Sequence, residues 1–188
     1  MKTNSDAALA FVLKDEGGYA ERNTEGGGAV NMGITFTTFV AWRKLAKMLD
    51  PTFADLKVMQ ISEAKAIYRA QYMAPTGFDD LPIGVDYVVF DAAVNGGVTG
   101  SIMLLQRALG LKPVDGHYGL NTRWAARHRN PEKLIDALCD ARLATYKKLK
   151  RFNEPYKPGA TRTWGDIWSA RIKVVAKRAK TMGVTTNA

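Results

Sequence analysis

Apolar residues recur along most of the chain at the three-to-four-residue spacing of amphipathic helices. A further run over 85–94 is apolar nearly all round and ten residues long, which favours a buried helix over a strand. Asn130 followed by Pro131 is typical of a helix start, and that helix should run to about residue 150. The spacing predicts other helices over 7–13, 36–49, 62–72, 98–109 and 164–182. The predicted class is therefore mostly α.

Glycines interrupt this pattern early in the chain. The segment 20–33 is rich in Gly, Asn and Glu and predicts a loop or an irregular β-hairpin. No Pro- or Ser-rich linker divides the chain, which favours one integrated globular domain.

Composition narrows the class of protein. The chain has 188 residues, of which 46% are hydrophobic, so it can bury a core and is not intrinsically disordered. No apolar run approaches the roughly 20 residues of a membrane helix. One cysteine, Cys139, excludes an internal disulfide framework and is expected to be buried. His117 and His128 are expected to be surface or hydrogen-bonded histidines, and neither spacing suggests zinc, so no metal is expected.

The net charge of +9 is concentrated near the end of the chain. Residues 1–141 carry a net charge of −1, whereas residues 142–188 hold 12 basic and 2 acidic residues. A localised basic block indicates an anionic partner: nucleic acid, a membrane surface or a cell-wall polymer. The alternative is a solvated helix face that only aids solubility.

Two carboxylates flank the glycine-rich segment. Glu16 ends the first predicted helix and precedes Gly17 and Gly18, which allow close approach of a bulky ligand. Glu25 follows nine residues later, so the two carboxylates could face each other across a cleft. Glycoside hydrolysis requires such a pair, one protonated to serve the leaving oxygen and one ionised on the opposite face.

The same segment resembles the N-terminal motif of family 108 glycoside hydrolases, which are peptidoglycan-cleaving N-acetylmuramidases common as phage endolysins. The resemblance lies in Glu16-Gly17-Gly18-Tyr19 and in the Gly-Gly-Ala-Val-Asn-Met-Gly-Ile-Thr sequence of residues 27–35. It implies a lysozyme-like fold with a small loop or hairpin near the N-terminus. It also implies that Glu16 is the catalytic acid.

The chain departs from the family pattern at two positions. Glu25 stands where the family usually has Asp, and Val30 stands where it usually has Thr. Glu25 could still hold the attacking water, and Thr35 and Asn31 are the nearest alternative polar groups. Tyr19 either packs under the glycine-rich loop or forms a wall of the sugar site.

A second motif block over 86–126 is similar to the predicted peptidoglycan-binding region that follows the catalytic motif in this family. Its Asp115-Gly116-x-x-Gly119 run predicts a tight turn, with Asn121 or Thr122 as a cap of the next helix, and this motif could be purely structural. Asn95 either lines the sugar groove or caps a helix. The buried candidates Asp86 and Asp91 need partners, and Arg142 could pair with one of them. The tail resembles the family's closing elements at Arg142-x-x-x-Tyr146 and Trp168-x-x-Arg171.

The expected organisation is a catalytic part over 1–85 and a peptidoglycan-binding-like helical part over 86–188. The expected function is a muramidase endolysin that hydrolyses the β-1,4 bond between N-acetylmuramic acid and N-acetylglucosamine to lyse a host cell. No cofactor is implied. The alternatives are a lytic transglycosylase and a non-catalytic cationic cell-wall-binding protein.

The expected partners and location follow from this function. The expected partner is bacterial peptidoglycan, with an anionic outer envelope or membrane as a second partner of the basic C-terminal helix, and the chain is expected to be a monomer. Nucleic acid is disfavoured because no nucleic-acid motif accompanies the charge. The N-terminus lacks a convincing signal peptide, so the chain is expected to be made in the host cytoplasm and to reach the wall through a holin.

Overall fold

A computed structural model of the chain describes residues 4–21, 28–48 and 50–184. The chain divides into two compact units, residues 1–71 and residues 72–188. Both are built mainly from helices, and the first also contains a small sheet, as the hydrophobic pattern predicted. The predicted division of function between residues 1–85 and 86–188 stays a prediction. Among the described helices, none combines the length and the apolar character that a membrane span requires.

The first unit places a three-stranded antiparallel sheet between its first two helices. The sheet has the strand order β1-β2-β3 and occupies the glycine-rich segment that predicted a hairpin. Helix α1 buries Ala8, Leu9 and Val12 and ends where Gly17 adopts a positive φ of 76°. The elements of this unit are α1 (Ser5–Glu16), β1 (Ala20–Glu21), β2 (Ala29–Asn31), β3 (Ile34–Thr35), α2 (Phe36–Leu45), α3 (Phe53–Lys57) and α4 (Ile61–Tyr68).

Two predictions in the first unit were inaccurate. The helix predicted to reach residue 49 ends at Leu45, because Lys47 turns to a φ of 54° and the Met48 amide donates back to the Arg43 carbonyl. Helix α4 gives way to one π-helical turn over Arg69–Met73 rather than continuing to residue 72. Helix α3 was missed because it has only five residues. It is held by a capping box in which Thr52 and Asp55 bond each other's backbone amides.

The second unit packs helices around one buried central helix, α5. That helix is buried along most of its length, as its continuous apolar sequence predicted, and it contacts α6, α8 and α9. The helices of this unit are α5 (Val85–Gly96), α6 (Val98–Leu109), α7 (Leu120–Arg127), α8 (Pro131–Tyr146) and α9 (Trp164–Val184), with 3-10 turns at Phe78–Asp80 and Lys150–Asn153.

Helix ends in the second unit follow their capping residues. Gly110 ends α6 in the left-handed conformation, and Asn130 caps α8 by accepting from the Lys133 amide at 3.0 Å. Helix α8 ends at Tyr146, four residues earlier than predicted. Helix α7 starts at Leu120 after Gly119, so the prediction that Asn121 or Thr122 caps it is wrong.

Candidate active site

The described geometry of the candidate site is centred on Glu16, the last residue of α1. Its side chain is half-buried and points to the turn between β2 and β3. At Gly33 in that turn, a Cβ atom would lie 2.7 Å from Glu16 Oε2 and 2.9 Å from Glu16 Cγ. The carboxyl group of Glu16 therefore packs directly against a backbone position that has no side chain.

The turn itself explains why this approach is possible. Asn31 pairs with Ile34, and the two residues between them, Met32 and Gly33, have φ values of 48° and 76°. Two consecutive positive φ values are those of the tight hairpin turn that matches the twist of antiparallel strands. Glycine is the residue that adopts this conformation without steric cost, so it satisfies both the turn and the contact with Glu16.

Tyr68 of α4 approaches the same position of Gly33. Its ring is only 1% exposed, and its hydroxyl donates a 2.8 Å hydrogen bond to the Met32 carbonyl. The hydroxyl oxygen lies 2.5 Å from the position that a Gly33 Cβ would occupy. The oxygens of Glu16 and Tyr68 thus converge on the face of one glycine. The sequence analysis missed Tyr68, because at a distance of 52 residues from Glu16 it shows only helical periodicity.

The two polar residues predicted beside Glu16 have structural partners. Thr35 is exposed and caps α2, because its Oγ1 accepts from the Thr38 amide at 3.2 Å. Asn31 is buried, and its Nδ2 donates to the Leu56 and Lys57 carbonyls at 2.8 and 3.2 Å. Asn31 therefore fastens α3 to the sheet. The predicted substrate role of Asn31 and the catalytic role of Thr35 stay predictions.

Tyr19 follows the two glycines and is half-buried at the start of the sheet. Its hydroxyl donates to Glu21 Oε1 at 3.2 Å, and Lys57 Nζ lies 5.4 Å from its ring centre. Desolvation and the hydrogen bond to Glu21 raise the pKa of the Tyr19 hydroxyl above its ordinary value. Glu25, the predicted second carboxylate, lies outside the described residues.

Aromatic side chains follow the glycine-rich segment. The rings of Phe36 and Phe53 are 4.2 Å apart, and both lie within 4 Å of the position of a Cβ at Gly28. Phe53 is 51% exposed although it is aromatic. This pair forms an apolar surface beside the chain that leads into β2, and its position was not predicted.

The predicted site residue of the second unit is Asn95. It lies in the last turn of α5, is exposed, and donates to the Asp91 carbonyl at 2.7 Å. This hydrogen bond runs within the helix and leaves Asn95 on the surface. Its predicted role in lining a sugar groove stays a prediction.

The buried acids of α5 are held by structural contacts. Asp91 is completely buried between Arg142 and Arg171, whose guanidinium nitrogens lie 2.6 and 2.8 Å from its two oxygens. The predicted pairing of Arg142 is therefore confirmed. Asp86 is also completely buried and accepts from the Gly84 and Tyr87 amides at 2.9 and 2.7 Å.

Hydrogen bonds hold the Asp115 motif in a tight turn. Asp115 accepts from Gln106 Nε2 at 2.6 Å and from the His117 amide at 2.9 Å, and the Gly116 amide donates to Gln106 Oε1. These hydrogen bonds, with the one from Gln106 foremost, hold the pKa of the Asp115 carboxyl below its ordinary value. The purely structural interpretation accounts for this motif, because its polar atoms bind one another.

The candidate metal ligands His128 and Cys139 lie in different surroundings. His128 is exposed and bonds the Trp124 carbonyl through Nδ1 at 2.7 Å. Cys139 is buried as expected, and burial raises the pKa of its thiol to about 11. Across residues 4–21, 28–48 and 50–184, no three histidine, cysteine or acidic side chains are grouped as metal ligands.

Comparison with known proteins gives a family match and a structural match for this chain. The model of the family described as glycosyl hydrolase 108 matches residues 9–97, which include Glu16, Gly33 and Tyr68. The chain is similar to the solved structure of SagA from Brucella abortus. The match covers 97% of each chain, with 34% sequence identity and a TM-score of 0.79. A search of curated proteins gives no match.

The structural match confirms the predicted fold class, a mostly α, lysozyme-like fold with a small hairpin sheet near the N-terminus. An identity of 34% over nearly the whole of both chains is sufficient to establish common family membership. The family match covers the segment in which Glu16, the glycine turn and Tyr68 meet. The chain therefore belongs to glycosyl hydrolase family 108 and is a peptidoglycan-degrading glycoside hydrolase.

Proposed function

We propose that the enzyme is a muramidase that hydrolyses the β-1,4 bond between N-acetylmuramic acid and N-acetylglucosamine, with Glu16 as its general acid. The observation that carries this proposal is the convergence of the Glu16 carboxyl and the Tyr68 hydroxyl on Gly33. A general acid must be protonated and accessible at once, and Glu16 is half-buried at a helix end followed by two glycines.

Tyr68 restricts the position of this acid. Its hydroxyl donates to the Met32 carbonyl and lies 2.5 Å from the Cβ position of Gly33, where Glu16 Oε2 lies at 2.7 Å. Burial of Tyr68 fixes its hydroxyl in place. Tyr68 is therefore a positioning residue for Glu16.

The proposed reaction involves two proton transfers, one from Glu16 and one from water. Glu16 donates its proton to the glycosidic oxygen as the bond from that oxygen to the anomeric carbon breaks. A water molecule attacks the anomeric carbon and loses a proton to a second base. Glu25 is the proposed base, and Thr35 is the alternative group that holds the water, although its hydroxyl already caps α2.

The substitution Glu16→Gln tests this assignment, with Asp15→Asn as the matched control on the same helix end. On purified peptidoglycan we expect a loss of about 10²–10⁴-fold in rate for Glu16→Gln, because a positioned general acid contributes about that much. Asp15→Asn should stay near wild type. Full activity of Glu16→Gln would refute the mechanism. The rates of Glu25→Gln and Thr35→Ala, measured in parallel, decide which of the two residues holds or deprotonates the attacking water.

The chemical outcome is read by mass spectrometry of the soluble products. A reducing muramic acid end supports the proposed hydrolysis of the muramyl bond. An anhydro sugar end indicates a lytic transglycosylase, and a reducing glucosamine end indicates cleavage of the other glycosidic bond. Either of the last two results overturns the proposed reaction while leaving family membership intact.

The proposed biological role is that of a phage endolysin, made in the host cytoplasm and released to the wall by a holin. The support is the sequence resemblance of the Glu16 motif. Expression in a Gram-negative host with and without a holin tests it. We expect rapid lysis only when the holin is present, and lysis by the enzyme alone would contradict this export route.

The basic C-terminal helix is proposed to retain the enzyme on anionic envelope polymers. Lys173 and Lys177 are exposed on α9, whereas Lys180 is paired with Asp136 at 2.6 Å and Arg178 bonds Tyr87 at 3.3 Å. Only the first two are therefore fully available to a partner. Replacing Lys173 and Lys177 by Gln should weaken binding to intact envelopes and reduce its salt dependence, with Lys150→Gln as the single-charge control. Unchanged binding would assign these lysines to solubility.

A further inference from the structure

Two separate contacts hold Lys57, the last residue of α3, beside the candidate active site. The Lys57 carbonyl accepts from the Asn31 side chain at 3.2 Å, and Asn31 stands two residues before Gly33, which Glu16 contacts. The Lys57 ammonium nitrogen lies 5.4 Å from the centre of the Tyr19 ring, and Tyr19 follows Glu16 by three residues. The sequence around Glu16 and the turn that Glu16 contacts are therefore both tied to α3.

The ammonium group of Lys57 is available to a ligand. The side chain is exposed, and among the described residues no carboxylate forms an ion pair with it. Of the nearby acids, Asp55 is engaged by the amide and the hydroxyl of Thr52, and Glu21 accepts from the Tyr19 hydroxyl. Glu21 is also exposed, so the surroundings of Lys57 are not strongly positive. Recognition by Lys57 therefore depends on direct contact rather than on long-range attraction.

An apolar surface lies one helical turn from Lys57. Phe53 precedes Lys57 by four residues, the spacing that places two side chains on the same face of a helix. Phe53 is 51% exposed, and its ring lies 4.2 Å from that of Phe36. The capping box of Thr52 and Asp55 fixes the helix that carries both residues, so little backbone freedom is lost when a ligand binds. We call Phe53 and Lys57 the α3 pair.

The polymer assigned by the proposed function carries its carboxylates at one place in each disaccharide repeat. The glucosaminyl residue is uncharged. The muramyl residue bears a lactyl group, whose carboxyl is either free or joined to a peptide stem with carboxylates of its own. An ammonium group beside the cleaved bond therefore distinguishes the two alternating sugars.

We propose that the α3 pair recognises the lactyl substituent of a muramyl residue, with Lys57 bound to a carboxylate of that substituent and Phe53 packed against its alkyl groups. This contact fixes which of the two sugars lies beside Glu16, and so which of the two glycosidic bonds is cleaved. The inference rests on the proposed function for the identity of the polymer. It assigns to the α3 pair the choice of bond, which is separate from the proton transfer by Glu16.

The alternative is that Lys57 only covers the Tyr19 ring. A cation over an aromatic ring stabilises a fold without touching any ligand. Loss of such a contact changes the rate on all substrates alike. Loss of a recognition contact changes the rate only on substrates that carry the carboxylate, so a ratio of rates separates the two roles.

The test compares kcat/KM on three soluble glycan substrates. The first keeps its peptide stems, the second has lost them to an amidase and carries the free lactyl carboxylate, and the third has that carboxylate converted to a neutral methylamide. We expect wild-type kcat/KM to be about fivefold higher on a charged substrate than on the neutral one, the effect of one exposed ion pair. Lys57→Gln should abolish this preference. Phe53→Ala should raise KM about threefold on all three substrates, because all carry the lactyl methyl group.

Lys44→Gln is the matched control, because Lys44 is another exposed lysine of the first unit, and it should keep the wild-type preference. The ratio of rates does not depend on the amount of folded protein. A preference for the first substrate alone identifies a stem carboxylate as the partner of Lys57, whereas a preference that includes the second identifies the lactyl carboxylate. A preference that is absent from the wild type, or that survives in Lys57→Gln, would overturn the proposal.

The proposed function has a separate readout in the same experiment. Wild-type cleavage of the neutral substrate, with a reducing end on the muramyl sugar, tests that function without any charge for Lys57 to bind. Cleavage of no substrate would refute the proposed function. Cleavage of all three at equal rates would refute only the role of the α3 pair.

Discussion

Glu16, at the end of α1, and Asp91, in the middle of α5, are both helical carboxylates, yet their surroundings are opposite in kind. Glu16 is half-buried and packs on a bare glycine backbone beside a tyrosine hydroxyl. Asp91 is completely buried, with one arginine on each oxygen. Both oxygens of Asp91 are occupied by arginine side chains, so this carboxylate ties helices of the second unit together. The same functional group is therefore the proposed acid in one unit and part of the packing in the other.

The difference also appears in how far apart the partners are in sequence. Glu16 and Gly33 are 17 residues apart, and one tight turn brings them together. Asp91 is 51 residues from Arg142 and 80 residues from Arg171. A local sequence motif therefore supplies much of the candidate active site. The ionic centre of the second unit depends on the packing of α5, α8 and α9.

The largest expected effect on stability is at Arg142, which pairs with Asp91. Replacing Arg142 by Ala removes one of the two counter-charges of a fully buried carboxylate and leaves a cavity, so we expect about 3–5 kcal/mol loss in the free energy of unfolding. Urea unfolding measures this loss. Arg107→Ala is the control, because Arg107 is an exposed arginine in the same unit, and it should change stability by about 0.5 kcal/mol or less. Equal effects of the two variants would show that the Asp91 pair is not structural.

At the candidate active site, Gly33→Ala should reduce the rate of hydrolysis about a hundredfold. The substitution displaces the Glu16 carboxyl, and a displacement of about 1 Å at a reacting group can have that effect. The new Cβ would meet Glu16 Oε2 and the Tyr68 hydroxyl at 2.7 and 2.5 Å, and the φ of 76° adds strain. Gly110→Ala is the matched control, since its φ is 73° and nothing lies within 4 Å of a Cβ there. Initial rates on purified peptidoglycan test both. A fully active Gly33→Ala enzyme would mean that Glu16 does not need this contact.

A smaller effect is expected at Asn31, which joins the sheet to α3. Asn31→Ala removes two hydrogen bonds to the Leu56 and Lys57 carbonyls and leaves these acceptors without their buried donor, so we expect a loss of about 1–3 kcal/mol. Thermal unfolding gives the size of the loss. The Michaelis constant for soluble glycan fragments tests the other role: a large rise beyond the loss of folded protein would show that Asn31 binds substrate.

The smallest effects concern the pH dependence of two helix caps, one in each unit. Asp55 and Asp166 accept hydrogen bonds from Thr52 and Thr163, chiefly from their backbone amides, and these lower the pKa of each carboxyl below 3.8. A lowered pKa gives stability that is present above the unfolded value and is lost as the pH falls through the folded value. Asp55→Asn and Asp166→Asn should therefore lower the melting temperature slightly at pH 7 and make little difference near pH 3. A gap from wild type that widens in acid would contradict this assignment.

Much of the fold was predictable because its causes are local. The buried helix α5 followed from a run that is apolar apart from Asp86 and Asp91, and the end of α6 and the start of α8 followed from Gly110 and from Asn130 with Pro131. Helix α3 was missed because it has only five residues, and a capping box holds it. The helix after the Asp115 turn was predicted, but its cap was placed at Asn121 or Thr122, whereas Gly119 precedes its first residue, Leu120.

The sequence by itself determined the family, the mostly helical class and the position of the glycine turn, and it predicted Glu16 as the acid, because each depends on residues close together in the chain. Only the tertiary structure decided that Tyr68 meets Glu16 at Gly33, that Asp91 is enclosed by Arg142 and Arg171, and that Leu120 and Trp124 face solvent. These contacts join distant segments. Their geometry is set by how helices pack, and a hydrophobic pattern specifies which face is buried without specifying its neighbour.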